Sequence, residues 1–130
     1  MIASIAAALL FSVLAVPEPF PADCAPRAAH ALHVGGDVTA PVVVKSGNIA
    51  AALTKNHAPC LGLLSFEVTI TPEGNVGCVR VLQLGKGVTI TPELAASLRE
   101  AVRSYKFKPA TRKGKPVEVL FNLTYHFKCQ

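Results

Sequence analysis

Hydrophobic and polar positions alternate in two stretches of this chain, and between them the period lengthens to that of a helix. In LLSFEVTI, Leu64, Phe66, Val68 and Ile70 share one face while Ser65, Glu67 and Thr69 take the other. That is the two-residue period of a half-buried strand. TPEGN follows, in which Pro72 presets φ and Gly74 with Asn75 tolerates positive φ. VGCVRVLQL then reads as the return strand, and residues 64–84 form a hairpin. After a loop from Gly85 to Thr89, Thr91-Pro92-Glu93 supplies a hydroxyl cap, a first-turn proline and an acid at the positive end of the helix dipole. Leu94, Leu98, Ala101, Val102 and Tyr105 recur at helical spacing, and Pro109 is expected to end the helix. A final strand over residues 117–127 alternates Val117, Val119, Phe121, Leu123, Tyr125 and Phe127 with Glu118, Asn122, Thr124 and His126. Upstream, Ile49 to Lys55 reads as two turns of helix capped by Asn48 and stopped at His57-Ala58-Pro59.

The order strand, strand, helix, strand predicts an α+β fold: a three-stranded antiparallel ββαβ sheet with one or two helices packed on one face. The connecting helix lets the last strand return beside the first, which becomes central. The last strand is then an edge with unpaired backbone groups, open to a partner's strand.

At 130 residues and 51% apolar composition the chain has room for one ordinary core. Part of the apolar excess lies in IASIAAALLFSVLAV, which is too short for the roughly 20 residues of a membrane-spanning helix and ends in small residues. Residues 1–15 are read as a secretory signal, with a short uncleaved anchor as the alternative. Residues 16–32 are read as a linker and 33–130 as the domain; within it Gly35-Gly36 marks a turn and Val42-Val43-Val44 a short extended piece. Export would let the cysteines at 24, 60, 78 and 129 oxidise. No CxxC occurs, so neither a zinc ribbon nor a thioredoxin-type site is indicated, and the four cysteines allow three pairings.

Three motifs occur in order on these elements: HVGGDVTAP, GLLSFEVTITPEGNVGCVRVL, and SYKFKPATRKGKPVEV at the helix end. Together they resemble the TonB C-terminal domain, the periplasmic module that couples the inner membrane to outer-membrane transporters, over roughly residues 33–128. The resemblance implies the same sheet order, a periplasmic location in a Gram-negative bacterium, and a last strand onto which a transporter's N-terminal peptide adds. A Tyr-Pro pair and an alanine-containing helix usual in that family before the hairpin are replaced here by Asn48-Ile49-Ala50-Ala51-Ala52. The energy transducers also carry a membrane helix and a long proline-rich spacer. Here about 20 residues follow the apolar segment, reaching about 70 Å fully extended. The expectation is an exported stand-alone domain, with a short membrane-anchored energy transducer as the alternative.

The candidate partner-binding residues are Val117, Glu118, Val119, Asn122, Thr124 and His126, and a homodimer could form through the same edge. Arg99, Arg103, Lys106, Lys108, Arg112, Lys113 and Lys115 form a basic cluster, part of the net charge of +5. It reads either as the solvated joint between helix and strand or as a surface for an anionic envelope or cell-wall partner. Nucleic acid is disfavoured by the export reading of residues 1–15. His30, His33, His57 and His126 lack metal-ligand spacing, and no nucleophile motif or phosphate loop occurs, so no metal, cofactor or catalysis is expected. Asn122-Leu123-Thr124 spells a glycosylation sequon inside a strand and is read as chance. If the last strand is antiparallel to the first, Cys60 and Cys129 are the favoured bridge, stabilising by about 4 kcal/mol in the chain-entropy model. Cys24 is then left to pin the N-terminal segment to Cys78.

Overall fold

A computed structural model of the protein describes residues 20–58, 62–83 and 91–127. A nine-residue strand, β3 (Gly62–Ile70), forms the centre of the main sheet. It pairs antiparallel with β4 (Val76–Gln83) on one side and with β8 (Val119–Phe127) on the other. The register of β3 with β8 runs unbroken from Gly62 opposite Phe127 to Ile70 opposite Val119. The hairpin turn between β3 and β4 closes by three bonds: Thr71 N–H to Asn75 O at 2.8 Å, Gly74 N–H to Thr71 O at 2.9 Å, and Asn75 N–H to the Thr71 hydroxyl at 3.1 Å.

The sheet has four strands rather than three, with a strand β1 (Leu32–His33) at one edge and the order β1-β8-β3-β4. The added member, β1 (Leu32–His33), pairs parallel with Val119 and Leu120. Two residues give no readable alternation, and their strand geometry comes from pairing with the edge of β8. The segment read as a linker, residues 16–32, therefore carries the first residue of this strand and a short helix, α1 (Ala25–His30), with a proline in its first turn.

Two helices cover one face. In α2 (Ile49–Lys55) the Asn48 side chain accepts from Ala51 N–H at 3.0 Å. In α3 (Pro92–Arg103) the Thr91 hydroxyl accepts from Leu94 N–H at 3.1 Å. Both caps stand where the sequence puts them. The core lies between these helices and the sheet: Ile49 and Leu53 from α2, Leu94, Leu98 and Val102 from α3, Leu64, Phe66, Val68 and Ile70 from β3, and Val79, Val81, Val119 and Leu123 from the flanking strands are all buried. Fully burying each such side chain is worth about 1.5–3 kcal/mol relative to exposing it.

Helix α3 ends at Arg103, well before Pro109, although Tyr105 keeps the helical spacing. Beyond it β5 (Lys106–Lys108) is a strand paired antiparallel with β2 (Val42–Lys45). Phe107 donates its N–H to Gly74 O at 2.9 Å, so the hairpin turn captures backbone that a longer helix would have used. A side chain at position 74 would place its Cβ 2.0 Å from Phe107 O, so only glycine admits this approach. A tight hairpin of β6 (Thr111–Arg112) and β7 (Lys115–Pro116) follows, with Lys113 and Gly114 both at positive φ.

Candidate functional site

The face of the sheet away from α2 and α3 is crossed at one end by an N-terminal strap. The Phe20 ring lies 4.9 Å from the Arg80 guanidinium carbon. Arg80 in turn bonds Glu67, Nε to Oε1 at 2.8 Å, across the β3–β4 ladder. The register shifts between Val68 and Ile70, and there Cys78 N–H donates to the buried Thr69 hydroxyl at 2.8 Å. Cys78 is disulfide-bonded to Cys24, with 5.9 Å between their Cα atoms. The other expected bridge, Cys60 with Cys129, lies outside the described residues. From Cys24 the strap continues through α1, where Arg27 Nε donates to Glu118 Oε2. It ends in β1, where Leu32 N–H donates to Glu118 O at 3.0 Å.

That last bond fixes the direction of the β8 backbone. Glu118 C=O points away from β3, and peptide groups in a strand alternate sides. Leu120, Asn122, Thr124 and His126 therefore also aim their N–H and C=O groups outward, while Val119, Phe121, Leu123 and Tyr125 bond to β3. β1 covers this outward row only at Val119–Leu120. Beyond Leu120, among the described residues, no strand pairs the outer edge of β8. Where β1 stops, a groove of about 310 Å³ opens, lined by His33, Val34, Glu67, Leu120, Phe121 and Asn122.

The expected partner-binding residues divide accordingly. Asn122, Thr124 and His126 are exposed on the outer face along the open edge. Val119 is fully buried in the core, and Glu118 is held by Arg27 under the strap. Val117 is half-buried and donates its N–H to Ala110 O at 3.0 Å. The expected edge is thus shorter than residues 117–127 and begins after Leu120. His33, Val34 and Arg27 are not apparent from the sequence, because β1 and α1 bring them to the edge from far along the chain, and Leu120 joins them as the β8 residue beside which β1 stops. On the inner side of β8, burial pushes the Tyr105 phenol above its ordinary value of 10.0, with Tyr125 adding to the shift.

The basic cluster is distributed over α3 (Arg99, Arg103), β5 (Lys106, Lys108) and the β6–β7 hairpin (Arg112, Lys113, Lys115). Arg112 Nε lies 3.0 Å from Asp37 Oδ2, and Lys106 Nζ lies 2.9 Å from Asn75 Oδ1. Arg103 approaches Glu100 at 4.0 Å. Among the described residues, no helix is long and apolar enough to cross a membrane.

The family model described as the Gram-negative bacterial TonB protein C-terminal matches residues 61–129, more than half of the chain. The match takes in β3, β4, α3 and β8, and begins after the strap, β2 and α2. No curated protein matches the chain.

Proposed function

We propose that this chain, which belongs to the family of Gram-negative bacterial TonB protein C-terminal domains, is an exported, non-enzymatic periplasmic protein that binds a partner by strand addition. The partner's strand pairs with the outward backbone groups of β8 from Asn122 to His126. The reading rests on one observation: β8 is fully laddered to β3 on one side, yet beyond Leu120 its other side carries no strand among the described residues. The edge already accepts a strand at Val119–Leu120, so its geometry suits pairing. In this mode backbone bonds give affinity and alternate side chains give selectivity. Asn122, Thr124 and His126 would read the partner, and the groove at Leu120 and Asn122 would take a side chain at the start of its strand. An N-terminal peptide of an outer-membrane transporter is the partner that family membership favours, and it links the protein to transport across the outer membrane.

The test is Thr124→Pro. Proline removes an outward N–H without touching the bonds to β3, as edge positions allow. Titration of the full chain with such a transporter peptide, followed by amide shifts, should lose at least about tenfold in affinity in this variant while the fold is retained. Undiminished binding by a folded Thr124→Pro protein would exclude the β8 edge as the site.

A second reading, a basic module for anionic envelope surfaces, draws on the exposed Lys113 and Lys115 at the β6–β7 tip. Salt separates the two: a charge-driven contact weakens steeply with ionic strength, whereas backbone pairing does not.

A further inference from the structure

A second open edge lies on β2. This strand pairs with β5 along one side, and among the described residues nothing pairs the other. Its three valines remain in solvent: Val42 is 58% exposed, Val43 42% and Val44 71%. The edge is held firmly from behind, since Thr39 N–H donates to Thr111 O at 2.9 Å and Val38 bridges Arg112 just before it. A hydrophobic edge strand in solvent is a template for another strand, and contiguous exposed apolar residues mark interaction sites.

The charges around it select the partner. Lys45 stands directly opposite Lys106 in the ladder, and Lys108 stands opposite Val42. Like charges in directly opposed positions repel. Lys106 has only a neutral amide oxygen, that of Asn75, within 2.9 Å. No carboxylate of the described residues pairs with Lys45, Lys106 or Lys108. The ribbon thus offers a free strand edge, apolar side chains and an uncompensated row of ammonium groups in one place. A second copy of the chain fits poorly, because it carries a net charge of +5 and would bring its own Lys45 to the contact.

We propose that the β2 edge docks an extended acidic segment of a partner protein. The segment adds as a strand along Val42–Lys45, its apolar residues against the valines and its carboxylates beside Lys45, with the ammonium groups of Lys106 and Lys108 one strand further across the ribbon adding to the attraction. This site is separate from the β8 edge and does not depend on the function proposed for it.

The experiment uses the isotope-labelled full chain and two synthetic peptides of equal length, one alternating valine with glutamate and the other valine with lysine. The glutamate peptide should shift the amides of Val42 to Lys45 at low salt and release as salt is added. Lys45 and Lys108 are exposed, so the double variant Lys45→Glu/Lys108→Glu should fold and should reverse the preference between peptides, each affinity changing by about tenfold. Thr124→Pro should leave this binding unchanged. The proposal is overturned if both peptides bind alike, if neither shifts the β2 amides, or if the shifts fall on Leu120 to His126. It is equally overturned if sedimentation shows the chain dimerising through β2, with Val44→Lys restoring the monomer.

Discussion

At the residue scale, Gly74 carries two constraints at once. Its φ of +87° is one that a side chain resists, and a Cβ there would sit 2.0 Å from Phe107 O. Gly114, at φ +78°, has the first constraint without the second, since nothing lies within 4 Å of its Cβ position. Gly114→Ala should therefore cost about 1–2 kcal/mol, the left-handed penalty alone. Gly74→Ala should cost about 2–4 kcal/mol, because the β5 backbone must also retreat. Denaturant unfolding of the pair measures the value of the close approach by difference. Tyr105 makes a different prediction. Its proton is held more tightly in the fold than in the unfolded chain, chiefly by burial. That contribution is complete below a pH of about 10 and is lost as pH rises through the folded value. Tyr105→Phe should flatten the alkaline decline in stability relative to the parent protein.

At the scale of elements, the hairpin of β3 and β4 and both helix caps were legible because their determinants are local. Asn48 and Thr91 bond residues three positions on, and Thr71 closes a turn of five residues. The ribbon of β2 and β5 was not legible, since Val43 and Phe107 pair from distant parts of the chain. Tyr105 is buried for reasons of its own yet sits at helical spacing, so the helical period runs past the point where Gly74 takes the backbone. Asn122, Thr124 and His126 are exposed on β8 because alternation alone separates them from the core. Where the open edge begins could not be read, since β1 covers its first residues and has two residues of sequence to announce itself. The only upstream signal was Cys24, whose bridge to Cys78 spans a sequence separation of 54. Cys24→Ala/Cys78→Ala should lose about 2–4 kcal/mol of stability by the chain-entropy argument. Amide exchange at Leu32 should accelerate more than exchange in β3, because the bridge anchors the strap and the sheet has its own core.

At the scale of the whole molecule, the strap and the partner strand proposed for β8 would contend for the same row of backbone groups. β1 holds Val119 and Leu120, leaving a partner the row from Asn122 onward. A longer added strand must displace β1, and anything that favours the strap-bound state lowers apparent affinity by the fraction of molecules in which the row is covered. Leu32→Pro isolates this competition. It deletes the N–H that reaches Glu118 O at 3.0 Å and trims the Leu32 side chain at the core's margin, while leaving the disulfide and the Arg27–Glu118 pair in place. The transporter peptide should then bind several-fold more tightly, and its footprint should extend from Asn122 back to the Leu120 amide. If affinity and footprint are both unchanged, β1 is a passive fourth strand and the partner's strand ends where the groove begins. If the footprint lengthens, the chain itself sets how many residues of a partner it accepts, through a segment that lies outside the residues matched by the family model.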